Sequence, residues 1–404
     1  MGVSPVNIQS DRVDRQLLVD APPEVADLPA VLEMSLGMQF TAGNSVEVLC
    51  NGAEIFPAMI AAMEDARETI EFLTFVYWQG SIAGRFADIL ARRAADGLSV
   101  KVLLDAFGAA TIDHQLVDQM RDAGAQVVWF RPLKRLRFWA NNRRTHRKLL
   151  ICDGRVGFTG GVGIAGEWEG DARNPREWRD THFRVEGPAV TGLRSAFIGN
   201  WAEMVSDREF GIPVAQKEFD NGVKVMVLRS VASRDWSDVA TAIRPLLHAA
   251  KSQLRITTPY FVPDQELLAD LVAIARRGVT VQILTAGPHQ DHPFVRWAGQ
   301  YHYEALLEAG VQVIEYQPTM LHAKVITVDG HYSMIGSANF NRRSMGKDDE
   351  ICLICDDKGL AQHLDAHFDA DHARGTVIDL TRWRQRGWLQ RLRERLVRVF
   401  ESHL

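Results

Sequence analysis

The sequence predicts an α/β protein made of two repeated units, each a mixed β-sheet flanked by helices. The main observation is a motif that occurs twice with the same internal spacing. In the first copy, His146 and Lys148 are followed by Asp153 and then by Gly160 and Gly161. Two such copies, each on an apolar run, indicate a duplicated half-site in which two histidines and two lysines meet in one pocket.

The second copy and its surroundings support the duplication. Its residues are His322, Lys324, Asp329, Gly336 and Ser337. Upstream of the motifs, segment 66–74 matches 250–258, and segment 122–128 matches 308–314. The matched order is helix, strand, helix, strand, helix, strand and then the motif, so the repeat predicts the architecture of both units.

The elements follow from this alignment. Residues 1–45 are predicted to form a polar arm, 46–215 the first unit and 216–404 the second. In the first unit we predict strands at 46–49, 70–77, 99–104 and 126–130, helices at 55–69, 81–96 and 113–123, and a hairpin of strands 147–152 and 156–159. The turn of this hairpin is predicted at Asp153-Gly154, since Asp-Gly between β-rich segments is a strong turn signal.

Composition excludes several classes of protein. The chain has 404 residues, 46% of them hydrophobic, which is enough for a large core, and a net charge of −5 argues against a general nucleic-acid coat. No run approaches the 18 apolar residues of a membrane-spanning helix, and no signal peptide is recognisable. Its four cysteines lack the spacing of a zinc site or a disulfide framework, so no metal is expected, and the cysteines indicate either a reducing compartment or no redox role.

The duplicated motif suits chemistry at a phosphodiester. Two lysines, helped by backbone N–H groups near the motif glycines, would neutralise the phosphate oxygens. One neutral imidazole can attack phosphorus, and the other can protonate the leaving alcohol. Histidine and lysine at positions i and i+2 of a strand project from one face, so Lys148 and Lys324 are expected to enter the pocket beside His146 and His322.

Four acidic residues accompany the two motifs. Asp180 and Glu350 lie downstream on the next predicted strands and are the candidates to fix the histidine tautomers. Asp153 and Asp329 belong to the motifs and are counted among the candidate catalytic residues, although capping of the hairpin turns is the favoured role for both.

The first unit carries ten extra residues between its last matched strand and His146. This loop, 131–144, is rich in arginine and lysine and contains Phe138 and Trp139. A solvated charged loop is the simple interpretation, and a surface for anionic lipid head groups, with Arg143 and Arg144 near the substrate phosphate, is the one we favour. A basic amphipathic helix at 382–400 either lies on an anionic membrane or docks on its own domain.

These motifs resemble the signature of the phospholipase D superfamily, and the local strings are most similar to bacterial cardiolipin synthases. Examples are Trp178-Arg179-Asp180-Thr181-His182 and Gly336-Ser337-Ala338-Asn339-Phe340. The resemblance implies two units related by a pseudo-twofold axis, an active site at their interface, a phosphohistidine intermediate and no cofactor. It assigns His146 as nucleophile and His322 as acid/base, with Gly161, Ser337 and Asn339 at the substrate.

Two departures from the family pattern qualify what the resemblance implies. Gly163 stands where the first motif usually has asparagine, so one amide is missing from the site. The better-known cardiolipin synthases begin with transmembrane helices, which this sequence lacks. A peripheral position on the cytoplasmic side of the plasma membrane is therefore expected, with anionic phospholipid as partner and no specific nucleic acid.

Three functional classes are compatible with the motifs. The first is a phosphatidyltransferase that joins two phosphatidylglycerols into cardiolipin. The second is a hydrolase, either a phospholipase D or a phosphodiesterase acting on nucleic acid. The third is an inactive scaffold, against which the intact His-Lys pairs argue. Transferase and hydrolase differ only in whether an alcohol or water reaches the phosphoenzyme.

Overall fold

The computed structural model describes residues 25–132, 142–205, 213–231 and 237–397. Residues 395–397 are described by their backbone alone. In these parts of the chain, fifteen strands hydrogen-bond into one continuous sheet in the order β15-β11-β10-β9-β12-β13-β14-β8-β1-β7-β6-β5-β2-β3-β4. The strands are β1 Thr41–Cys50, β2 Thr69–Thr74, β3 Ser99–Asp105, β4 Gln126–Phe130, β5 Leu149–Cys152, β6 Val156–Gly160, β7 Thr181–Glu186, β8 Val223–Ser230, β9 Gln253–Thr258, β10 Thr280–Ala286, β11 Gln312–Tyr316, β12 Val325–Val328, β13 Tyr332–Gly336, β14 Glu350–Asp356 and β15 Gly375–Val377.

Helices cover both faces of this sheet, as the α/β prediction requires. They are α1 Leu28–Leu36, α2 Asn51–Asp65, α3 Ser81–Ala95, α4 His114–Asp122, α5 Ala189–Met204, α6 Asp238–His248, α7 Gln265–Arg276, α8 Pro293–Gln300, α9 Tyr303–Glu308, α10 Arg342–Gly346, α11 Lys358–His372, α12 Leu380–Arg384 and α13 Trp388–Val397. The predicted helices and strands of the first unit are all present, with ends displaced by a few residues.

The sheet repeats itself about its centre. Strands β2, β3 and β4 are parallel, as are β9, β10 and β11. Strand β5 pairs antiparallel with β2, and β12 pairs antiparallel with β9, and each begins an antiparallel hairpin, β5–β6 or β12–β13. The two halves meet where β1 pairs antiparallel with β8. The duplication seen in the sequence is thus a duplication within one mixed sheet.

The core has one layer within each half and one layer shared between them. Leu73 and Phe183 of the first half pack in the same cluster as Val225 and Leu353 of the second, beneath α5 and α11. This shared layer fixes one half of the sheet against the other, because interiors pack densely and resist sliding.

Part of the predicted polar arm is ordered structure. Helix α1 begins after Asp27, which accepts a capping hydrogen bond from the amide of Ala30. Its Leu28 and Leu32 are buried in the core of the second half. The first strand likewise starts at Thr41 rather than at 46. The segment Leu28–Leu36 is mostly apolar, and Pro29 lies in its first turn, where proline is well tolerated.

The C-terminal segment forms two short helices rather than one continuous basic helix. Gly387 separates α12 from α13, which packs against α8 through Arg393 over the ring of Trp297, 5.5 Å away. Trp388 and Leu389 of α13 remain 71% and 54% exposed. Among the described helices, none combines the length and the apolar character needed to cross a membrane.

The motif aspartates stabilise the fold at the end of the sheet opposite the histidines. Asp153 accepts hydrogen bonds from the amides of Arg67, Glu68 and Thr69 at the start of β2. Asp329 does the same for residues 251–253 at the start of β9. Both aspartates have φ of 53° and are followed by glycine with positive φ, which is the geometry of a type I′ hairpin turn.

Replacing Asp329 by Ala should destabilise the protein by about 1–3 kcal/mol, because three backbone amides lose a charged acceptor. Asp329→Asn keeps one acceptor oxygen and should lose less. Urea unfolding measures both, with Asp118→Ala on the exposed side of α4 as the control. A free energy of unfolding for Asp329→Ala within about 0.5 kcal/mol of the control would contradict this role.

Candidate active site

The two histidine motifs lie side by side where the halves of the molecule meet. Contrary to the sequence prediction, His146 to Lys148 precede β5, and the second motif precedes β12, so the histidines do not lie on the strands themselves. Each motif is instead held by a short parallel bridge to the other half. The His146 amide donates to the Asp349 carbonyl at 2.9 Å, and the His322 amide donates to the Arg179 carbonyl at 2.7 Å.

These bridges place each histidine beside a carboxylate that belongs to the other half of the molecule. His146 Nδ1 lies 3.0 and 3.1 Å from the carboxylate oxygens of Glu350, in the second half. His322 Nδ1 lies 2.8 Å from Asp180 Oδ2, in the first half. Each Nδ1 therefore carries the ring proton and donates a hydrogen bond to a carboxylate. This leaves the lone pair of Nε2 free for chemistry. Asp180 and Glu350 thus lie where the sequence analysis expected the tautomer-fixing acids.

The motif residues Gly161 and Ser337 each lie directly against one of the two carboxylates. Ser337 donates its hydroxyl to Glu350 at 2.5 Å. A side chain at Gly161 would lie 2.2 Å from Asp180, so only glycine fits there. Both were predicted to contact substrate, and in the structure both contact the carboxylates. Their amides donate to the strand carbonyls of Thr181 and Ile351, which corrects the expectation of free N–H groups at this point.

Both lysines reach back over their own histidines. Lys148 Nζ donates to the His146 carbonyl at 2.8 Å. Lys324 Nζ donates to the His322 carbonyl at 2.5 Å and lies 3.1 and 3.3 Å from the ring nitrogens. Lys324 acts electrostatically on His146 and on Lys148, and Lys148 acts on His322, so all four side chains border one buried region.

Burial controls the ionisation of these groups. It lowers the pKa of both His146 and His322 to about 4, against the opposing charges of Glu350 and Asp180. Both imidazoles are thus neutral at neutral pH before an anion binds. Burial would raise the pKa of Glu350, but His146, Lys148 and Ser337 hold it at about 2.

The lysines titrate near neutrality. Burial, reinforced by the charge of Lys324, lowers the pKa of Lys148 to about 7. Burial also lowers the pKa of Lys324 to about 8, and the carboxylates of Asp180, Glu350 and Asp291 oppose that shift. A phosphate anion entering the pocket would restore a full positive charge on both lysines.

Aromatic side chains that sequence reasoning missed enclose the histidines unequally. Trp168, Trp178 and Tyr260 surround His322, with ring centroids at 5.2, 5.6 and 6.2 Å. Among the residues that the structure describes, one aromatic ring, that of Phe75, packs against His146, at 5.3 Å. Trp168 also donates its indole N–H to Asp180 at 2.8 Å. It lies in a short 3₁₀ helix, Gly166–Trp168, which has no periodic sequence pattern to predict it.

Gly163 has a steric explanation. A side chain at this position would lie 2.6 Å from Val76 and 3.2 Å from Trp168, so the space that an asparagine would need is filled. In the second half, Asn339 is buried and its Oδ1 has no partner among the described residues. The pocket is therefore asymmetric, with an available amide on one side only.

Three predicted site residues do not join the histidines. Asp153 and Asp329 lie at the far end of the sheet, and their carboxylates are occupied by backbone amides. Arg144 is also wrongly predicted as a substrate contact, since it is 1% exposed and bonded to Asp105 at 3.0 Å. Arg143, next to it, is exposed. Most of the basic loop, residues 133–141, lies outside the described residues.

Comparisons with known proteins identify the family of the chain. Residues 243–372 match the family model described as "Cardiolipin synthase, PLD-like domain". The chain is 33% identical over 374 residues to cardiolipin synthase A of Pseudomonas putida, covering 91% of this chain and 76% of that one. It is 31% identical over 364 residues to cardiolipin synthase of Geobacillus kaustophilus, covering 88% and 72%.

The fold is also found in a solved structure. The phosphatidylserine synthase of Haemophilus influenzae Rd KW20 superposes with a TM-score of 0.69, at 16% identity, covering 94% of this chain and all of that one. At this identity the likeness concerns the fold. It supports the arrangement of two α/β units in one molecule.

The lysine pKa values predict an alkaline limit to activity. Since burial lowers both, the charged forms that bind phosphate are present below about pH 7 to 8 and are lost as the pH rises. The value of kcat/KM for a small phosphodiester should therefore fall above that range. Lys148→Arg keeps its charge and should move the fall to higher pH. A profile that stays level to pH 9.5 in the wild type would contradict the assignment.

Proposed function

Because the chain belongs to the cardiolipin synthase family of the phospholipase D superfamily, we propose that it forms cardiolipin from two phosphatidylglycerol molecules through a phosphohistidine. The observation that carries the proposal is the pair of neutral histidines, each with a lysine beside it and a carboxylate from the other half at Nδ1. In this proposal the units 46–215 and 216–404 each supply half of one site.

The first step forms the phosphoenzyme. The Nε2 lone pair of His146 attacks phosphorus of the first phosphatidylglycerol, and the bond from phosphorus to the glycerol head group breaks. The leaving oxygen takes a proton from the His322 imidazolium, and glycerol departs. The anionic substrate counters the burial that keeps His322 neutral, so the imidazolium forms with substrate bound, and Asp180 stabilises it.

The second step transfers the phosphatidyl group. Neutral His322 takes a proton from the head-group hydroxyl of a second phosphatidylglycerol, whose oxygen attacks phosphorus. The bond between phosphorus and nitrogen breaks, and its electron pair returns to His146. Lys148 and Lys324 neutralise the oxygens of phosphorus in both steps. We assign Asn339 a supporting contact with the substrate. Its side-chain amide is present in the second motif, whereas the first motif has Gly163 at the equivalent position.

The proposed setting is the surface of an anionic membrane, on the cytoplasmic side. Trp388, Leu389 and Leu392 are exposed on α13, among arginines, which is the composition of a helix that lies at such an interface. Loop 131–144 adds further basic residues to the same proposal, among them the exposed Arg143, three residues before His146 in the sequence.

Product analysis tests the proposed reaction. Purified protein incubated with phosphatidylglycerol vesicles should yield cardiolipin and one glycerol for each cardiolipin, identified by mass spectrometry. His146→Ala and His322→Ala should each abolish turnover while the circular dichroism spectrum stays unchanged. A labelled phosphatidyl adduct should form on the wild type and disappear in His146→Ala.

The other outcomes separate the alternatives. Phosphatidic acid in place of cardiolipin would identify a hydrolase. An adduct that persists in His146→Ala but disappears in His322→Ala would exchange the roles of the two histidines. Near-normal turnover in either variant would contradict the two-histidine mechanism.

A further inference from the structure

The surroundings of the two histidines differ in polarity as well as in size. The ring of Phe75 lies beside His146, and Phe107, which is 60% exposed, follows β3 in the same half. Gly108 packs directly on Phe75, because a side chain there would lie 2.3 Å from the Phe75 carbonyl oxygen. The carboxylate at the end of β3, Asp105, is fully buried and neutralised by Arg144. The segments that follow β2 and β3 therefore present apolar surface on this side, with Phe75 against His146.

The corresponding loop of the second half presents polar groups. Tyr260 meets the His322 ring edge-on, with centroids 6.2 Å apart and planes at 82°. Its hydroxyl lies 2.8 Å from both carboxylate oxygens of Asp291, in the loop after β10. The Asp291 side chain is 21% exposed, and the imidazole of His292 lies 3.6 Å from it. A carboxylate thus stands near the acid/base histidine with acceptor capacity to spare.

We propose that Tyr260 and Asp291 form a subsite for a polyol head group, which holds the glycerol hydroxyls of the leaving and the accepting alcohol next to His322. The proposal rests on the function proposed above, and it explains the asymmetry of the pocket. The alcohol must lie beside the acid/base residue, and the apolar side by Phe75 and Phe107 is left for the acyl-bearing part of the lipid.

The charges in the pocket favour a neutral polyol over other head groups. A carboxylate accepts hydrogen bonds from hydroxyls and repels a second anion. An ammonium head group would be attracted by Asp291 but repelled by the two lysines, and Asp291 is among the carboxylates whose charge acts on Lys324. Burial and the Asp291 charge hold the pKa of Tyr260 well above 10, so its hydroxyl keeps its proton over the working range of pH.

Competition between two alcohols tests the subsite. Phosphatidylglycerol vesicles are incubated with the protein in a mixture of deuterated glycerol and ethanol, and labelled phosphatidylglycerol and phosphatidylethanol are quantified by mass spectrometry. Both products come from the same phosphoenzyme, so their ratio reports acceptor recognition and not donor binding. Asp291→Ala should lower the ratio of glycerol to ethanol product about tenfold or more, because a charged hydrogen-bond acceptor is lost.

Two further variants sharpen the result. Tyr260→Phe keeps the carboxylate but removes its anchor, and should lower the ratio by a smaller factor. Asp118→Ala, a surface aspartate of the first half, should leave it unchanged. Ratios within twofold of the wild type in both Asp291→Ala and Tyr260→Phe would overturn the subsite while the transferase remained. In a second mixture, of deuterated glycerol and ethanolamine, a wild-type preference for ethanolamine that disappears in Asp291→Ala would overturn the polyol class.

The proposed function fails in a different way. If the wild type forms neither cardiolipin nor either phosphatidyl alcohol, the transferase is wrong and the subsite falls with it. Products with an unaltered ratio contradict the subsite alone.

Discussion

Each histidine of this site is oriented by a carboxylate from the other half of the chain. The rest of the structure holds the two halves in the position that this crossed pairing requires. A parallel backbone bridge fixes the residue before each acid, Asp349 or Arg179, against the histidine motif of the opposite half. The antiparallel pairing of β1 with β8 and the shared core beneath α5 and α11 hold the two halves at this spacing. A displacement of one half would therefore break both histidine–carboxylate pairs at once.

Burial of the crossed pairs produces the chemistry. It removes water from two imidazoles and two ammonium groups, which keeps the histidines neutral and brings the lysines close to losing their protons. Such a pocket is poorly stable when empty and gains most from an anion that restores its charges. The phosphodiester thus supplies the charge that the second histidine needs in order to act as an acid. Because the surroundings of His146 and His322 differ in polarity, the two imidazoles can take different roles.

The duplication made the fold and both His-Lys pairs predictable, because the repeat preserves spacing and the spacing reflects strand geometry. The crossing was not predictable, since Asp180 follows His146 in its own unit and only the order of strands in the sheet shows that it faces His322. Arg144 was misplaced because nearness in sequence to His146 says nothing of side-chain direction, and it turns inward to Asp105. Trp168 was missed because a single 3₁₀ turn has no periodicity. The motif aspartates were identified correctly as turn residues, but the amides they hold are distant in sequence.

The crossing can be measured directly by NMR of the histidine ring nitrogens and their protons. The account predicts that Nδ1 of His146 and of His322 each carries a hydrogen-bonded proton at low field, with Nε2 unprotonated. Glu350→Gln should perturb the His146 resonance and leave that of His322, and Asp180→Asn should do the reverse. Perturbation of His146 by Asp180→Asn, with His322 unchanged, would show that the pairs form within each half and would contradict the account.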